Sequence, residues 1–106
     1  VHVDICNIIN SPDRFYRNTE IINDVFRKLG QWICSCHAKD LQGKNVHFIE
    51  TVPGRGGIDY RAYLASLTAL PFEAPLMLEH LSIPAEYEEG KQHILKLAKE
   101  MAIDLA

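Results

Sequence analysis

The chain has 106 residues, 47% of them hydrophobic and 24% charged, which describes one soluble globular domain at most. A formal net charge of −3 argues against a broad basic face for nucleic acid. No apolar run approaches the roughly 20 residues of a membrane span, and no basic segment leads into an apolar one as in a signal peptide.

Val1-His-Val-Asp-Ile-Cys-Asn7 reads as a buried strand over 1–7, with Val1, Val3 and Ile5 on one face and His2, Asp4 and Cys6 on the other. No turn or polar lead-in precedes it, so the chain is expected to start in mid-fold as part of a longer polypeptide. Ser11-Pro12 supplies an N-cap and a first-turn proline, and Asp13 suits the positive end of a helix. Ile21, Ile22, Val25, Phe26 and Leu29 recur at helical spacing, which predicts a helix over 12–29 with Gly30 at C′.

The stretch Trp32-Ile-Cys-Ser-Cys-His-Ala-Lys-Asp40 follows and predicts a strand over 32–38. Alternation puts Ile33, Ser35, His37 and Lys39 on one face and Cys34, Cys36 and Ala38 on the other. Cys6, Cys34 and Cys36 are odd in number and lie in apolar runs. They are expected as reduced core thiols of a cytoplasmic protein, and Cys34-x-Cys36 lacks the second pair of a zinc site.

The segment 41–57 is too long for a simple connection. It holds a β-like run over 45–51 and then Pro53-Gly-Arg-Gly-Gly57, where glycines admit a ligand to the backbone and Arg55 offers a guanidinium to it. Asp59 caps a second helix that ends near Pro71, with Tyr60, Tyr63, Leu64 and Leu67 on its apolar side. A third strand spans 75–80, with Pro75, Met77 and Glu79 on one face and Leu76, Leu78 and His80 on the other. A last helix starts near Pro84 and runs to the end, burying Ile94, Leu97, Ala98, Met101 and Leu105.

The order β-α-β-α-β-α requires parallel strands joined by right-handed crossovers, and such sheets hold ligands at their C-terminal strand ends. Asp4, His37 and Glu79 lie near those three ends, so neighbouring strands would bring them to one rim. Two carboxylates and an imidazole suit a divalent ion: Mn²⁺, Co²⁺, Mg²⁺ or Zn²⁺. His47 and Glu50 read as loop residues rather than further ligands. His2 reads as filling the interior behind the rim, and His80 and His93 as structural or exposed.

Asp4-x-x-Asn7, His37-Ala-Lys-Asp40, the loop from Pro53 to Tyr60 and Leu78-Glu79 resemble the sugar phosphate isomerase/epimerase family. This is a group of xylose-isomerase-like (β/α)₈ TIM barrels that includes ketose 3-epimerases, hydroxypyruvate isomerases and inosose dehydratases. The resemblance covers nearly the whole chain as the last three βα units of such a barrel. It implies a metal held by Asp4, His37 and Glu79, with a fourth ligand, a glutamate, on a strand before Val1. It implies Glu79 as catalytic acid/base, beside a metal that polarises the substrate carbonyl and stabilises an enediolate. Asn7, Arg55 and Lys39 would bind a sugar or sugar phosphate, with Lys39 and Asp40 also setting rim electrostatics and loop position. Asn7 departs from the histidine often found there in the epimerases, which leaves the substrate and reaction open.

Two rival readings stand beside it. Related apurinic endonucleases cut DNA on the same barrel with three zinc ions, but His37-Ala-Lys-Asp40 lacks their Asn-Asp-Ser continuation and the charge is acidic. Alternatively the chain is a non-catalytic half-barrel fragment or a binding module, since a full barrel takes about 250 residues. It would then need the remainder of the barrel or another copy of itself. Neither membrane nor nucleic acid is an expected partner of the favoured reading.

Overall fold

The computed structural model describes residues 1–44 and 47–105, with only the backbone of Lys44 and His47. The elements in order are β1 (His2–Val3), α1 (Ile5–Ile8), α2 (Pro12–Tyr16) and α3 (Asn18–Leu29), followed by a 3₁₀ turn (Gly30–Trp32). Next come β2 (Ser35–Ala38), β3 (Asp40–Lys44), β4 (His47–Thr51), α4 (Tyr60–Thr68), β5 (Leu76–Leu78) and α5 (Pro84–Glu100). The protein is mixed α/β. β1, β2 and β5 form a parallel sheet in that order, with Val3 opposite Cys36, His37 opposite Met77 and Ala38 opposite Leu78.

One face of this sheet joins the core. Val3, Cys36 and Ala38 are buried together with Ile22 and Phe26 of α3, Tyr63 and Leu64 of α4, and Ile94 and Ala98 of α5. Small residues at 36 and 38 let those helices approach the sheet. The opposite face carries His2, Ser35, His37 and Met77, as strict alternation requires. Among the described residues no helix is long and apolar enough to cross a membrane.

Several boundaries differ from the sequence expectation, each for a local reason. The expected strand over 1–7 stops at Val3, because Asp4 turns the chain into α1 by accepting the Asn7 N–H on Oδ1 at 3.2 Å. An aspartate in extended conformation is a strong N-cap, and Ile5 and Cys6 are buried from the helical turn instead of from a strand.

The expected helix over 12–29 is two helices that meet at Arg17. The cause is Asn18, whose buried amide donates to the Phe15 and Gly57 carbonyls at 2.9 and 2.8 Å and accepts the Asp59 N–H at 2.6 Å. A side chain that satisfies three backbone groups competes with the helical ladder.

Gly30 has φ −48° and leads into the 3₁₀ turn rather than closing the helix in a left-handed conformation. The second strand therefore begins at Ser35, not at residue 32, and Trp32 and Cys34 are exposed. Only Cys6 and Cys36 are core thiols. Burial pushes the pKa of both upward, that of Cys36 to about 11.

The long segment after Asp40 is a β-hairpin in which β3 and β4 pair antiparallel, from Asp40 opposite Thr51 to Lys44 opposite His47. Of the β-like run expected over 45–51, positions 45 and 46 lie outside the described residues, as does the side chain of His47. The third strand is shorter than the expected 75–80. It ends before Glu79, and His80 takes a left-handed φ of 59°. α5 stops at Glu100 rather than at the chain end, which leaves Leu105 exposed instead of in the buried stripe.

Candidate functional site

Three short structures end at one rim. β1 ends beside Asp4, β2 carries His37 and runs out at Lys39, and β5 ends beside Glu79. The parallel register holds them level, and one ligand atom from each of Asp4, His37 and Glu79 lies within 4.8 Å of the other two.

His37 Nδ1 is 2.7 Å from Glu79 Oε2 and 3.5 Å from Asp4 Oδ2. Glu79 Oε2 is buried and, despite that short approach, has no partner at hydrogen-bonding angles. A buried carboxylate oxygen left without a hydrogen bond is rare, and this one has the Lys39 ammonium, 3.4 Å away, as its counter-charge.

Lys39 lies among these groups. Its side chain is 2% exposed, and its Nζ is 2.7 Å from Asp4 Oδ2 and 3.4 Å from Glu79 Oε2. Glu50 Oε1 and His80 Nδ1 are each 3.4 Å away as well. Burial pulls the ammonium pKa down. The hydrogen bond to Asp4 and the charges of Asp4, Glu50 and Glu79 outweigh that, so it stands above the ordinary lysine value.

Two tyrosines of α4 fix this part of β2 from behind. Tyr60 Oη donates to the Lys39 carbonyl at 2.6 Å, and Tyr63 Oη donates to the His37 carbonyl at 3.0 Å. Both rings are buried, and burial raises both phenol pKa values, so they act as neutral donors. Sequence reading placed both tyrosines on the apolar face of α4 but missed their hydroxyl role. The signal was available, since a buried tyrosine needs an acceptor. Tyr60→Phe is expected to lower stability by about 1–2 kcal/mol, measured by urea unfolding. No change would mean that the Lys39 carbonyl is held by other means.

Asp40 is 1% exposed and is the anchor of the following loop. Its Oδ1 accepts the N–H groups of Leu41 and Ile58, both at 2.9 Å. Its Oδ2 accepts those of Gly54 at 2.9 Å and Gly56 at 3.1 Å. The glycines expected to admit a ligand instead admit this carboxylate. A Cβ on Gly56 would collide with it and with the Leu41 carbonyl, and Gly54 has a φ of +103°.

The other expected substrate residues, Arg55 and Asn7, are not among the three convergent donors. Arg55 Nε and Nη2 donate to the two carboxylate oxygens of Glu89 on α5, both at 2.5 Å and in exposed positions. Asn7 is exposed on α1, where its backbone N–H caps onto Asp4. Glu50, read as a loop residue, belongs to β4 and reaches the edge of the cluster through Lys39 and through His80 Nδ1, 3.2 Å from its Oε2. His80 also brings Nε2 to 3.4 Å from Glu79 Oε1. His2 Nδ1 bonds the Ser35 hydroxyl on the sheet face below the rim, and His93 packs edge-on against Tyr60. No protein-family model, curated protein or solved structure matches this chain.

Proposed function

We propose that this chain belongs to a divalent-metal-dependent isomerase or epimerase of sugars or sugar phosphates. On this reading it forms three βα units of a (β/α)₈ barrel of the xylose-isomerase-like group, and the rest of the barrel completes the rim. Asp4, His37 and Glu79 are the ligands this chain contributes. The observation that supports the reading is their convergence at the ends of three adjacent parallel strands, with Glu79 Oε2 buried and making no hydrogen bond.

The donor set fits such an ion. Two carboxylates supply hard oxygen and charge, and the imidazole suits Mn²⁺, Co²⁺ or Zn²⁺ better than Ca²⁺. When bound, the ion would polarise a substrate carbonyl and so acidify the neighbouring C–H. The protein's own part is proton transfer. Glu79 has one oxygen turned to His37 and the other toward His80, so the first serves binding while the second takes and returns the proton. Arg55 is paired with Glu89 in an exposed position, so on this reading a phosphate or hydroxyl-rich substrate would engage it by displacing that carboxylate.

The direct test is Co²⁺ titration of the purified full-length protein, followed by visible absorption and calorimetry. One equivalent is expected to bind, and His37→Ala is expected to weaken it by roughly 100-fold or more, since even outer partners of ligands are worth 10–100-fold. Binding indifferent to His37→Ala, or no binding of Co²⁺, Mn²⁺, Mg²⁺ or Zn²⁺, each titrated in the same way, by either the wild type or Lys39→Met, would end this reading.

A further inference from the structure

The oxygens that face His37 are also the ones the chain's own cation touches. Lys39 Nζ contacts Asp4 Oδ2 at 2.7 Å and Glu79 Oε2 at 3.4 Å, and the same two atoms approach His37 Nδ1 at 3.5 and 2.7 Å. An ion taking those lone pairs would stand within a few ångströms of a buried ammonium. Like charges that close, in a poorly solvated place, repel strongly. The ammonium cannot simply shed its partners either, because an unpaired buried charge is destabilising.

A second acceptor is within reach. Glu50 Oε1 lies 3.4 Å from the ammonium, on the hairpin strand β4, and its side chain is 41% exposed. It is a carboxylate that can follow the lysine without being itself a member of the three-donor group.

We propose that Lys39 is an internal competitor for the cation site. Its ammonium holds Asp4 and Glu79 together until a divalent ion takes their oxygens, and it then transfers to Glu50. The exchange lets the rim carboxylates keep a counter-charge at every stage, and it sets how tightly the ion is held. This inference rests on the metal reading above, and the two can fail separately.

The test is Mn²⁺ titration of the full-length protein by calorimetry at one fixed pH, with folding checked by far-UV circular dichroism. Lys39→Met is expected to bind Mn²⁺ at least tenfold more tightly than the wild type, and Lys39→Gln takes its place if the methionine variant does not fold. Glu50→Gln is expected to weaken binding severalfold in the wild type, and most of that loss is expected to vanish in the Lys39→Met background. Equal or weaker binding by both lysine variants, with the wild type still binding, would overturn the competitor role and leave the metal reading intact. Binding by neither wild type nor lysine variants would overturn both. Binding that appears only once Lys39 is replaced would support the competition in its strongest form.

Discussion

Replacing Asp40 by alanine is expected to remove about 4 kcal/mol of stability, a large share of the roughly 5–15 kcal/mol a domain of this size commonly has. Of the four N–H groups it accepts, those of Leu41 and Ile58 belong to buried residues and have no water to turn to when the carboxylate is gone, while those of Gly54 and Gly56, nearer solvent, lose the group that fixes the loop. Asp40→Asn separates charge from geometry. Burial pushes the Asp40 carboxyl above its ordinary range, and the four donors pull it back only in part. Its folded pKa is thus raised, so the ionised form is a destabilising element at neutral pH, and that penalty sets in as pH rises through the raised value. Removing the charge would therefore relieve strain if charge decided the outcome. Geometry decides against it, because an amide has one oxygen for two of the donors and turns an NH₂ toward the other two. Asparagine is expected to lose about 2–4 kcal/mol, read as a lowered urea midpoint with unchanged slope. A midpoint within error of the wild type for either variant would refute the anchoring role.

Asp40 also shows where reading the sequence succeeds and where it stops. The three apolar runs and the helical spacing between them were enough for a parallel sheet in chain order, because burial of alternate faces leaves few other arrangements. The rim residues were legible for the same reason, since polar groups at corresponding strand ends must meet if the strands pair in register. Asp4 was misplaced in a strand because Val3, Ile5 and Cys6 satisfy a β pattern as readily as they satisfy burial from a helical turn. Asn18 was invisible, because a polar residue on an amphipathic helix usually faces water and its partners, Gly57 and Asp59, are about 40 residues away. The glycines of the 53–57 loop read as places where the backbone comes close to a ligand. In the structure the chain's own groups crowd them, the Asp40 carboxylate at Gly56, His93 at Gly54 and Phe15 at Gly57, which spacing along the sequence cannot reveal. Closure into a barrel is likewise beyond these residues, since three strands specify neighbours and rim but not the number of strands in the whole.

Replacing Glu79 by glutamine in the full-length protein is expected to slow proton exchange between a sugar substrate and solvent by about 10²–10⁴-fold, the usual contribution of a positioned acid/base. Metal affinity is expected to fall far less. The argument is that the two carboxylate oxygens have different surroundings. Oε2 is buried beside His37 and close to Lys39, where an amide oxygen can replace it as a donor to a cation. Oε1 lies 3.4 Å from His80 Nε2 at the edge of the cluster, where an NH₂ can neither accept nor return a proton. The variant thus separates two roles that deletion to alanine would remove together. Deuterium incorporation from heavy water into a panel of ketoses and ketose phosphates, followed by mass spectrometry, reads the first role, and Co²⁺ titration reads the second. A loss confined to exchange would leave Glu79 as both ligand and proton carrier, as proposed. Exchange unchanged in the variant would remove Glu79 as the acid/base. Loss of metal and exchange in proportion would make it a ligand alone, with the proton carried by a group elsewhere on the rim.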